Sequence, residues 1–572
     1  MSVRLVGEGP AIEAVSAALG DVDVAVERGG VDGLADAALG VVSATAGDAV
    51  FERANEVASR WIAIQVGGVG GVPIEAVDAS IAGFGPGGPC YHCLGTRVAA
   101  SAVEPAEAPS ADRAAVRVAG ALAGREAIGV LAGEDRITGR VLEVPHAERD
   151  LLPVPGCTCA DGPVGGADQR PIRDHAERSL EEAVARMDRA IDPRVGTVGE
   201  LGEAESFPAP YYLATLADTT GFSDGDAPEQ AAGVADDWNA ALAKAVGEAL
   251  ERYAAAIYDR EAFATATPAE LEATVPPAAF AGADADAPGP DSDRAIPWVR
   301  GEALASGEDV WLPAAAVHFP PPEPRVLPGI TTGLGLGSSG ADALLAGLTE
   351  TIERDATMLA WYSTFEPLGL AVEDEAFERL ARRARGEGLS VTPVLVTQDV
   401  DVPVVAVAVH REEEWPAFAV GSAASLDPAD AAVGALAEAL QNWMELRSIG
   451  RAAAADRQDA IGEFANRPDA AGEFADVEPA VAAEDVGPDE PPIGDAAVDA
   501  LLGALAEADL DAYATRLTTR DLESLGFEAV RVLVPAAQPL FTGEARFGER
   551  ARQVPESLGF EPRLDRRHHP YP

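Results

Sequence analysis

Hydrophobic and polar positions follow recognisable periods along the chain, and each period predicts an element. Val3-Arg-Leu-Val6 reads as a strand, Gly7-Glu-Gly9-Pro-Ala as a turn into an amphipathic helix, and Val22 to Val26 as a second strand. This is a Rossmann-like opening. Residues 166–195 are charged with a helical pattern, clearest from Glu177 to Arg189, and form a connector. A Gly/Asp/Ala-rich loop follows Tyr211 and leads into a helix from about Trp238 to Tyr258. On that helix Leu242, Val246 and Leu250 line one face, while Lys244, Glu248, Glu251 and Arg252 share another. In the Pro/Ala-rich stretch 265–325, Ile296 to Arg300 and Asp309 to Leu312 predict short strands. Gly333-Leu-Gly-Leu-Gly-Ser338-Ser-Gly-Ala-Asp342 then opens a long helix that reaches Asp355. Val391 to Thr397 and Val402 to His410, β-branched and apolar, predict buried strands, and a third long helix runs from about Asp427 to Arg447. Residues 453–495 hold few large apolar groups and predict a surface insertion, partly disordered. Two more helices and a strand, Ala529 to Val534, lead to the terminus. The sum is an α/β protein whose 572 residues divide into two or three domains.

Candidate chemistry sits on the long helices. Glu350-Thr-Ile-Glu353-Arg354 places two carboxylates at i and i+3, and Glu248-Ala-Leu-Glu251-Arg252 repeats the pattern. Glu438-Ala-Leu-Gln441 varies it, with an amide in place of the second acid. Like charges so spaced repel by roughly 0.2–0.5 kcal/mol unless a cation lies between them, and magnesium held by carboxylates and phosphates meets that need. Before the second helix, a glycine-rich loop exposes backbone N–H groups and the helix start adds positive dipole, an arrangement suited to an anionic ligand. Glu375-Ala-Phe-Glu378-Arg379 also matches, but with charged residues around it and no glycine loop before it; it reads as surface.

The first 165 residues contain all four cysteines, as Cys90-Tyr-His-Cys93 and Cys157-Thr-Cys159. Close pairs in a chain without a secretion signal suggest metal before disulfide, and four thiolates close a tetrahedral structural zinc site. The second gap is shorter than usual, and His92 and His146 are alternative ligands. Gly7-x-Gly9-x-x-Ile12 with Glu27 beyond it approximates a dinucleotide fingerprint, but Ile12 is bulky where a small residue is needed, so a structural βαβ unit is expected.

The three helix motifs, in this order and spacing, resemble the YcaO superfamily of ATP-dependent enzymes that activate peptide backbone amides. The resemblance covers roughly residues 196 to 572 and includes the terminus His568-His569-Pro570-Tyr571-Pro572, similar to the proline-rich tails that reach the active site in many YcaO cyclodehydratases. It implies ATP and Mg2+ held by Glu248, Glu251, Glu350 and Glu353, with Lys244, Arg252, Ser338, Asp342, Arg354, Glu438 and Gln441 around the nucleotide. The tail, His569, Pro570 and Pro572, is expected to assist proton transfer. The family tends to place arginine where Trp443 stands, which turns attention to Arg447 for a phosphate contact. The family's loop asparagines are replaced by Thr332 and Ser338.

The region around Gly88-Pro-Cys90-Tyr-His-Cys93-Leu-Gly-Thr-Arg97 is similar to the degenerate ThiF-like domain that precedes YcaO in azole-forming cyclodehydratases. The implied layout is a ThiF-like, Rossmann-like zinc domain over 1–165, the connector, and a YcaO domain over 196–572. Fused members often begin with a winged-helix module that grips a leader peptide; here the chain opens almost on the first strand, and leader binding is unassigned. The implied reaction is cyclodehydration of Cys, Ser or Thr in a peptide or protein. Thioamide formation with a sulfur-delivery partner and a non-catalytic nucleotide-binding adaptor are the alternatives, with a homodimer expected from the resemblance.

Composition bounds partners and setting. The formal net charge is −53, with 95 acidic residues against 42 basic ones, and Lys244 is the single lysine. Such a surface argues against nucleic acid and anionic membranes as partners. It reads as adaptation to a salt-rich cytoplasm, where screening removes most self-repulsion. With no signal segment and no apolar run of bilayer length, a cytoplasmic protein is expected.

Overall fold

In the computed structural model, described for residues 2–571 except 146, 160–168, 413, 457–459 and 476, contacts divide the chain into two compact units. The first comprises Met1–Gly165, Asp188–Glu200 and Thr215–Glu229; the second comprises Gly166–Met187, Leu201–Ala214 and Gln230–Pro572. The expected connector is thus shared: its helix, Leu180–Met187, belongs to the second unit and Asp188 onward to the first.

The first unit is built on a seven-stranded sheet. Ala25–Arg28, Ser2–Val6, Leu39–Thr45 and Trp61–Val66 run parallel, and Ala79–Phe84, Arg140–Val144 and Ala147–Asp150 continue the sheet antiparallel. The opening is a strand–helix–strand unit, with the helix Pro10–Leu19 after Gly9 and the second strand at Ala25–Arg28, three residues later than the expected Val22 start. Gly7 is required by packing, because a Cβ there would stand 2.1 Å from the Ser43 carbonyl oxygen. Glu27, the ribose-partner position of the fingerprint, is instead engaged by Arg4 at 2.9 Å.

In the second unit the first motif helix packs on Gln230–Val234, a strand of a three-stranded sheet, while two further sheets carry the second and third motif helices. One orders Ala264–Ala266, Ile296–Ala303, Tyr513–Arg516, Glu528–Leu533 and Leu334–Gly337, with Glu308–Pro313 also on Ile296–Ala303. The other orders Phe418–Ala424, Val404–His410, Ser390–Leu395, Leu368–Ala371 and Pro479–Ala482. Every residue of Val404–His410 is buried, as its unbroken apolar run requires of a central strand. The helices span Trp238–Ala256, Gly340–Trp361 and Pro428–Asp456, the last broken at Gly450 by a positive φ of 79°. Among the described residues no helix is long and apolar enough to cross a membrane.

The expected surface insertion is corrected by the structure. Phe464 and Phe474 are each 2% exposed and join the core around Trp361 and Tyr571, and Pro479–Ala482 adds a parallel edge strand to Leu368–Ala371. A few aromatic residues anchor this acidic stretch, although its average composition is poor in large apolar groups. Trp361 and Phe474 stack at 5.7 Å, and Trp361 meets Phe464 edge-on at 5.6 Å.

Candidate functional site

The three motif helices face one cleft of about 1000 Å³. Each packs tightly against a strand through glycine: a Cβ on Gly233 would lie 2.2 Å from Ala245 N, on Gly335 2.1 Å from Ala343 O, and on Gly421 2.4 Å from Ala439 N. That closeness lets the first carboxylate of each helix reach the strand region preceding it. Ala232 N–H donates to Glu248 Oε2 at 2.8 Å, Gly333 N–H to Glu350 Oε2 at 2.9 Å, and Ser422 N–H to Glu438 Oε2 at 2.6 Å. Each carboxylate is fixed by one oxygen, and an arginine lies near the other: Arg252 at 2.5 Å from Glu248 Oε1, and Arg354 at 3.9 Å from Glu350 Oε1 and 3.7 Å from Glu438 Oε1.

The second carboxylates are electrostatically strained. Glu251 lines the cleft without a hydrogen bond or ion pair among the described residues; burial, then Glu350 and Glu248, push it up to about 8. Glu353 is 7% exposed and accepts from Ser422 Oγ at 2.6 Å, with Arg354 at 3.6 Å. Burial chiefly, with Glu438 and Glu350, pushes it also to about 8 against Arg354. Burial likewise raises Glu248 and Glu438 above the ordinary carboxylate range. Five carboxylates thus converge in a space where their charges are poorly solvated, an environment that calls for a hard divalent cation.

Lys244 lines the cleft and forms no ion pair among the described residues; Arg252 takes the place beside Glu248 that an i,i+4 lysine would occupy. Loss of solvation in the cleft pulls its ammonium below the ordinary lysine range, against the attraction of Glu438 and Asp236. Gln441 also lines the cleft and donates to Glu445 at 3.2 Å. Ser338 is present too, its carbonyl held by the Arg178 guanidinium.

Several expected roles are corrected. At the helix start the N–H groups of Gly340, Ala341 and Asp342 are taken up within the protein rather than offered to a ligand. Asp174 accepts from Gly340 N at 3.0 Å and its carbonyl from Ala341 N at 3.0 Å, while Ser339 Oγ accepts from Asp342 N at 3.3 Å. Asp342 is not among the residues lining the cleft, and its carboxylate faces His175 at 3.9 Å. Arg447 does not reach the cleft: it pairs with Glu205 and Glu387 and stacks on Trp443. In the surface match, Glu378 pairs with Arg385 and Arg379 with Asp236, outside the cleft.

The tail does approach the carboxylates, through a residue other than the one expected. His569 is fully buried and its Nε2–H donates to Phe541 O at 2.6 Å. Burial, with His568, pulls its imidazole down to about 3, so it stays neutral and is no proton carrier near neutral pH. Pro570 is buried beside it, and Pro572 lies outside the described residues. Tyr571 is fully buried; burial, then Glu353, raises its phenol out of the titrating range. Arg566 holds the tail by stacking 3.8 Å over Trp361 and donating to the Trp361 carbonyl at 2.8 Å.

Sequence reasoning missed Arg531. It is 3% exposed on Glu528–Leu533 and donates to Thr331 O at 2.8 Å and Ile330 O at 2.9 Å, fixing the strap that lines one side of the cleft. Burial pulls it down to about 10, against the attraction of Glu350 and Glu251. A lone arginine within the apolar run Ala529-Val-Arg531-Val-Leu was the available signal.

A second cluster lies in the first unit. The Sγ atoms of Cys90, Cys93, Cys157 and Cys159 all lie within 4.8 Å of one another, with 3.9 Å for Cys90–Cys93, 3.5 Å for Cys90–Cys157 and 3.6 Å for Cys93–Cys159. Val154 N–H points at Cys93 Sγ from 3.4 Å. His92 turns away to Glu52 at 3.3 Å, and His146 lies outside the described residues.

Comparison with known proteins bears on both units. Residues 232–538, more than half the chain, match the family model described as YcaO cyclodehydratase, ATP- and Mg2+-binding. An uncharacterized protein of Methanothermobacter thermautotrophicus is 31% identical over 218 residues, 35% of this chain and 54% of that protein. One from the tfuA 3′ region of Rhizobium leguminosarum biovar trifolii is 28% identical over 176 residues, 27% of this chain and 41% of that protein. The chain spans about half the length of the curated relatives it matches. Among solved structures, a heterocyclase in complex with substrate and cofactor aligns with a TM-score of 0.72 at 20% identity, over 98% of this chain and 83% of its own. The heterocyclase TruD gives 0.65 at 19%, over 98% and 82%. The YcaO of Methanopyrus kandleri bound with AMPPCP and Mg2+ gives 0.51 at 24%, over 65% and 94%. At these identities the likeness is one of fold.

Proposed function

The chain belongs to the YcaO cyclodehydratase family, and from that premise we propose that it uses ATP and Mg2+ to activate peptide backbone amides, closing Cys, Ser or Thr side chains into azolines. The observation that carries this reading is the convergence of Glu248, Glu251, Glu350 and Glu438 on one cleft, with Glu353 buried beside the cleft-lining Arg354 at 3.6 Å. The residues fit the ions: Glu251 has no partner among the described residues, and the oxygens of Glu248, Glu350 and Glu438 not fixed to backbone face the cleft-lining arginines.

In this reading Glu248, Glu251, Glu350 and Glu353 hold magnesium, while Arg354 and Lys244 face the phosphates, with Gln441 and Ser338 beside them. Arg252 keeps Glu248 in place and Arg531 keeps the strap in place. The side-chain thiol or hydroxyl of the substrate adds to the preceding amide carbon and gives up its proton to solvent, the amide oxygen takes the γ-phosphoryl group from ATP with release of ADP, and that oxygen then leaves as inorganic phosphate. The bond to sulfur or oxygen stays, the amide N–H proton is lost, and a C=N bond remains. ATP supplies the phosphoryl group; what the protein contributes is position and charge. Tyr571 and the tail stand by Glu353, and His569, kept neutral by burial, seats that tail through its bond to the Phe541 carbonyl.

The first unit is assigned as the ThiF-like partner domain, its four cysteines binding a structural zinc. Tetrahedral Zn–S bonds of about 2.3 Å set sulfurs roughly 3.8 Å apart, in keeping with the spacings found. The acidic, lysine-poor surface is assigned to a salt-rich setting, and the unfolding temperature is expected to rise with KCl.

The test is peptide-dependent ATP hydrolysis in high salt, on wild type and Glu353→Ala, with products weighed by mass spectrometry. Loss of one water per cycle supports azoline formation, and exchange of oxygen for sulfur points to thioamide chemistry. Nucleotide binding without any peptide-dependent turnover, across a precursor library, leaves the adaptor reading standing instead.

A further inference from the structure

The N–H groups at the helix start are spent inside the protein, but the segment ahead of that helix has donors to spare. Gly329, Ile330, Thr331 and Thr332 line the cleft as a strap outside any helix or strand. Their backbone N–H groups donate to no protein group among the described residues. Two of their carbonyls are engaged: Arg531 Nη1 donates to Thr331 O at 2.8 Å and Nη2 to Ile330 O at 2.9 Å. A trans peptide unit is planar, with its C=O and N–H on opposite sides. Neither the Ile330–Thr331 nor the Thr331–Thr332 bond is cis. With both carbonyls turned onto one guanidinium, the N–H groups of Thr331 and Thr332 point away from it.

The lining residues show which side that is. Arg531 borders a smaller cavity of about 60 Å³ with Val532 and Val534 and is not among the residues lining the cleft, whereas Thr331 borders the cleft alone. The two N–H groups therefore stand on the cleft side of the strap. Successive N–H groups turned one way make a seat for an oxygen that carries negative charge. The next N–H along, that of Gly333, already donates to such an oxygen, Glu350 Oε2, at 2.9 Å. A cation bonded to the carbonyl side of a peptide unit polarises it and strengthens its N–H as a donor.

The charged donors of the cleft, Lys244, Arg252 and Arg354, sit on the helices Trp238–Ala256 and Gly340–Trp361, while the strap offers neutral dipoles. Neutral donors suit an oxygen that is uncharged on binding and gains charge during reaction, because the bond then strengthens at the transition state. In the amide-activation reading one oxygen does this. Addition of the thiol or hydroxyl to the amide carbon forms the C–S or C–O bond, sends the carbonyl π pair to the oxygen and releases the proton to solvent. Resting on that reading, we propose that the N–H groups of Thr331 and Thr332 hold the oxygen of the substrate amide, and that Arg531 is the positioning residue that turns them toward it.

The experiment is NMR in high salt on the full chain labelled with [15N]threonine, the two amide signals being assigned through Thr331→Ser and Thr332→Ser. Mg–AMPPCP is added first, then N-acetylcysteinamide, the smallest acyl-cysteine amide. Both signals are expected to stay in place with Mg–AMPPCP and to move downfield with N-acetylcysteinamide. Arg531→Met is expected to abolish that movement with AMPPCP affinity unchanged, and Arg531→Lys, which still reaches a carbonyl, to keep part of it. Should Arg531→Met not fold, Thr332→Pro deletes one donor on the strap and is expected to weaken N-acetylcysteinamide about tenfold. Movement with Mg–AMPPCP alone gives the donors to the phosphates and overturns the amide assignment. No movement with N-acetylcysteinamide, or full movement in a folded Arg531→Met, overturns it as well. Failure of the wild type to bind Mg–AMPPCP sinks the ATP reading, whereas movement with N-acetylcysteinamide alone keeps the donor pair.

Discussion

Loading the cleft with metal should release protons, and the amount follows from the two strained carboxylates. Glu251 and Glu353, each pushed up to about 8, are about nine-tenths protonated at pH 7, so a cation that needs both ionised displaces about two protons. By linkage the apparent affinity then rises about a hundredfold between pH 6 and pH 7 and levels off above about 9. Stability runs the other way. The unfolded chain releases these protons near the ordinary value of 4.5, while the folded chain keeps them to about 8. The ligand-free protein therefore loses stability as pH climbs through that window and recovers it when the cation binds. The assay is titration calorimetry with preformed Mg–AMPPCP in buffers of different ionisation enthalpy, at pH 6.5, 7.5 and 9.5. Release near two at the lower values, falling toward zero at 9.5, is expected, with about one in a Glu251→Gln variant that still binds. Tight binding at pH 6.5 with no proton release would refute the claim that these two carboxylates meet the cation.

Three further outcomes are expected. Metal analysis should find one zinc per chain, and Cys93→Ser, which removes a buried thiol of the cluster, should lose it and lower the melting transition of the first unit by several degrees; full stability after chelation would remove the zinc assignment. Arg550→Ala leaves Asp355, 2% exposed and bonded at 2.6 Å, as an uncompensated buried charge, and should cost about 3–5 kcal/mol in denaturant unfolding, with Asp355→Asn/Arg550→Met recovering part of it. Asp174→Ala removes the side-chain acceptor of Gly340 N while Ser339 remains the cap of the helix Gly340–Trp361, and should cost about 1 kcal/mol, with nucleotide affinity changed little because that N–H does not serve the ligand.

Periodicity and motif spacing disclosed the parts of this protein that are locally encoded. Trp238–Ala256, the strands around Val404 and the parallel opening of the first unit depend on residues within one element, and all form close to their expected limits. The cysteines were legible because thiol pairs are scarce and their chemistry is narrow. What stayed hidden depends on the chain's return to the same place. The N–H groups after Ser339 are free in any local reading; only the fold brings Asp174 onto them. His569 reads as an exposed, titrating terminus until Phe541 and Tyr362 enclose it. In the acidic insertion, average composition concealed two phenylalanines that the core needs. Arg531 was overlooked for the opposite reason, as one charge in a strand otherwise ready for burial.

The strand glycines also carry a consequence for symmetry. Gly233, Gly335 and Gly421 meet the carbonyls of Ala241, Ala343 and Ala435, which makes the three strand–helix pairs comparable residue by residue. Glu248 follows Ala241 by the same interval as Glu350 follows Ala343, but Glu438 follows Ala435 one helical turn sooner. At the height where the third helix would repeat the acid stands Asn442, which donates to Val420 O at 2.9 Å and so faces a carbonyl where its counterparts face an N–H. The plan is that of three like spokes with the third acid set one turn lower, each acid still accepting from a backbone N–H. A threefold-symmetric cage would present its acids at one height; this one sets Glu438 a turn apart from Glu248 and Glu350, so the cleft has three inequivalent walls.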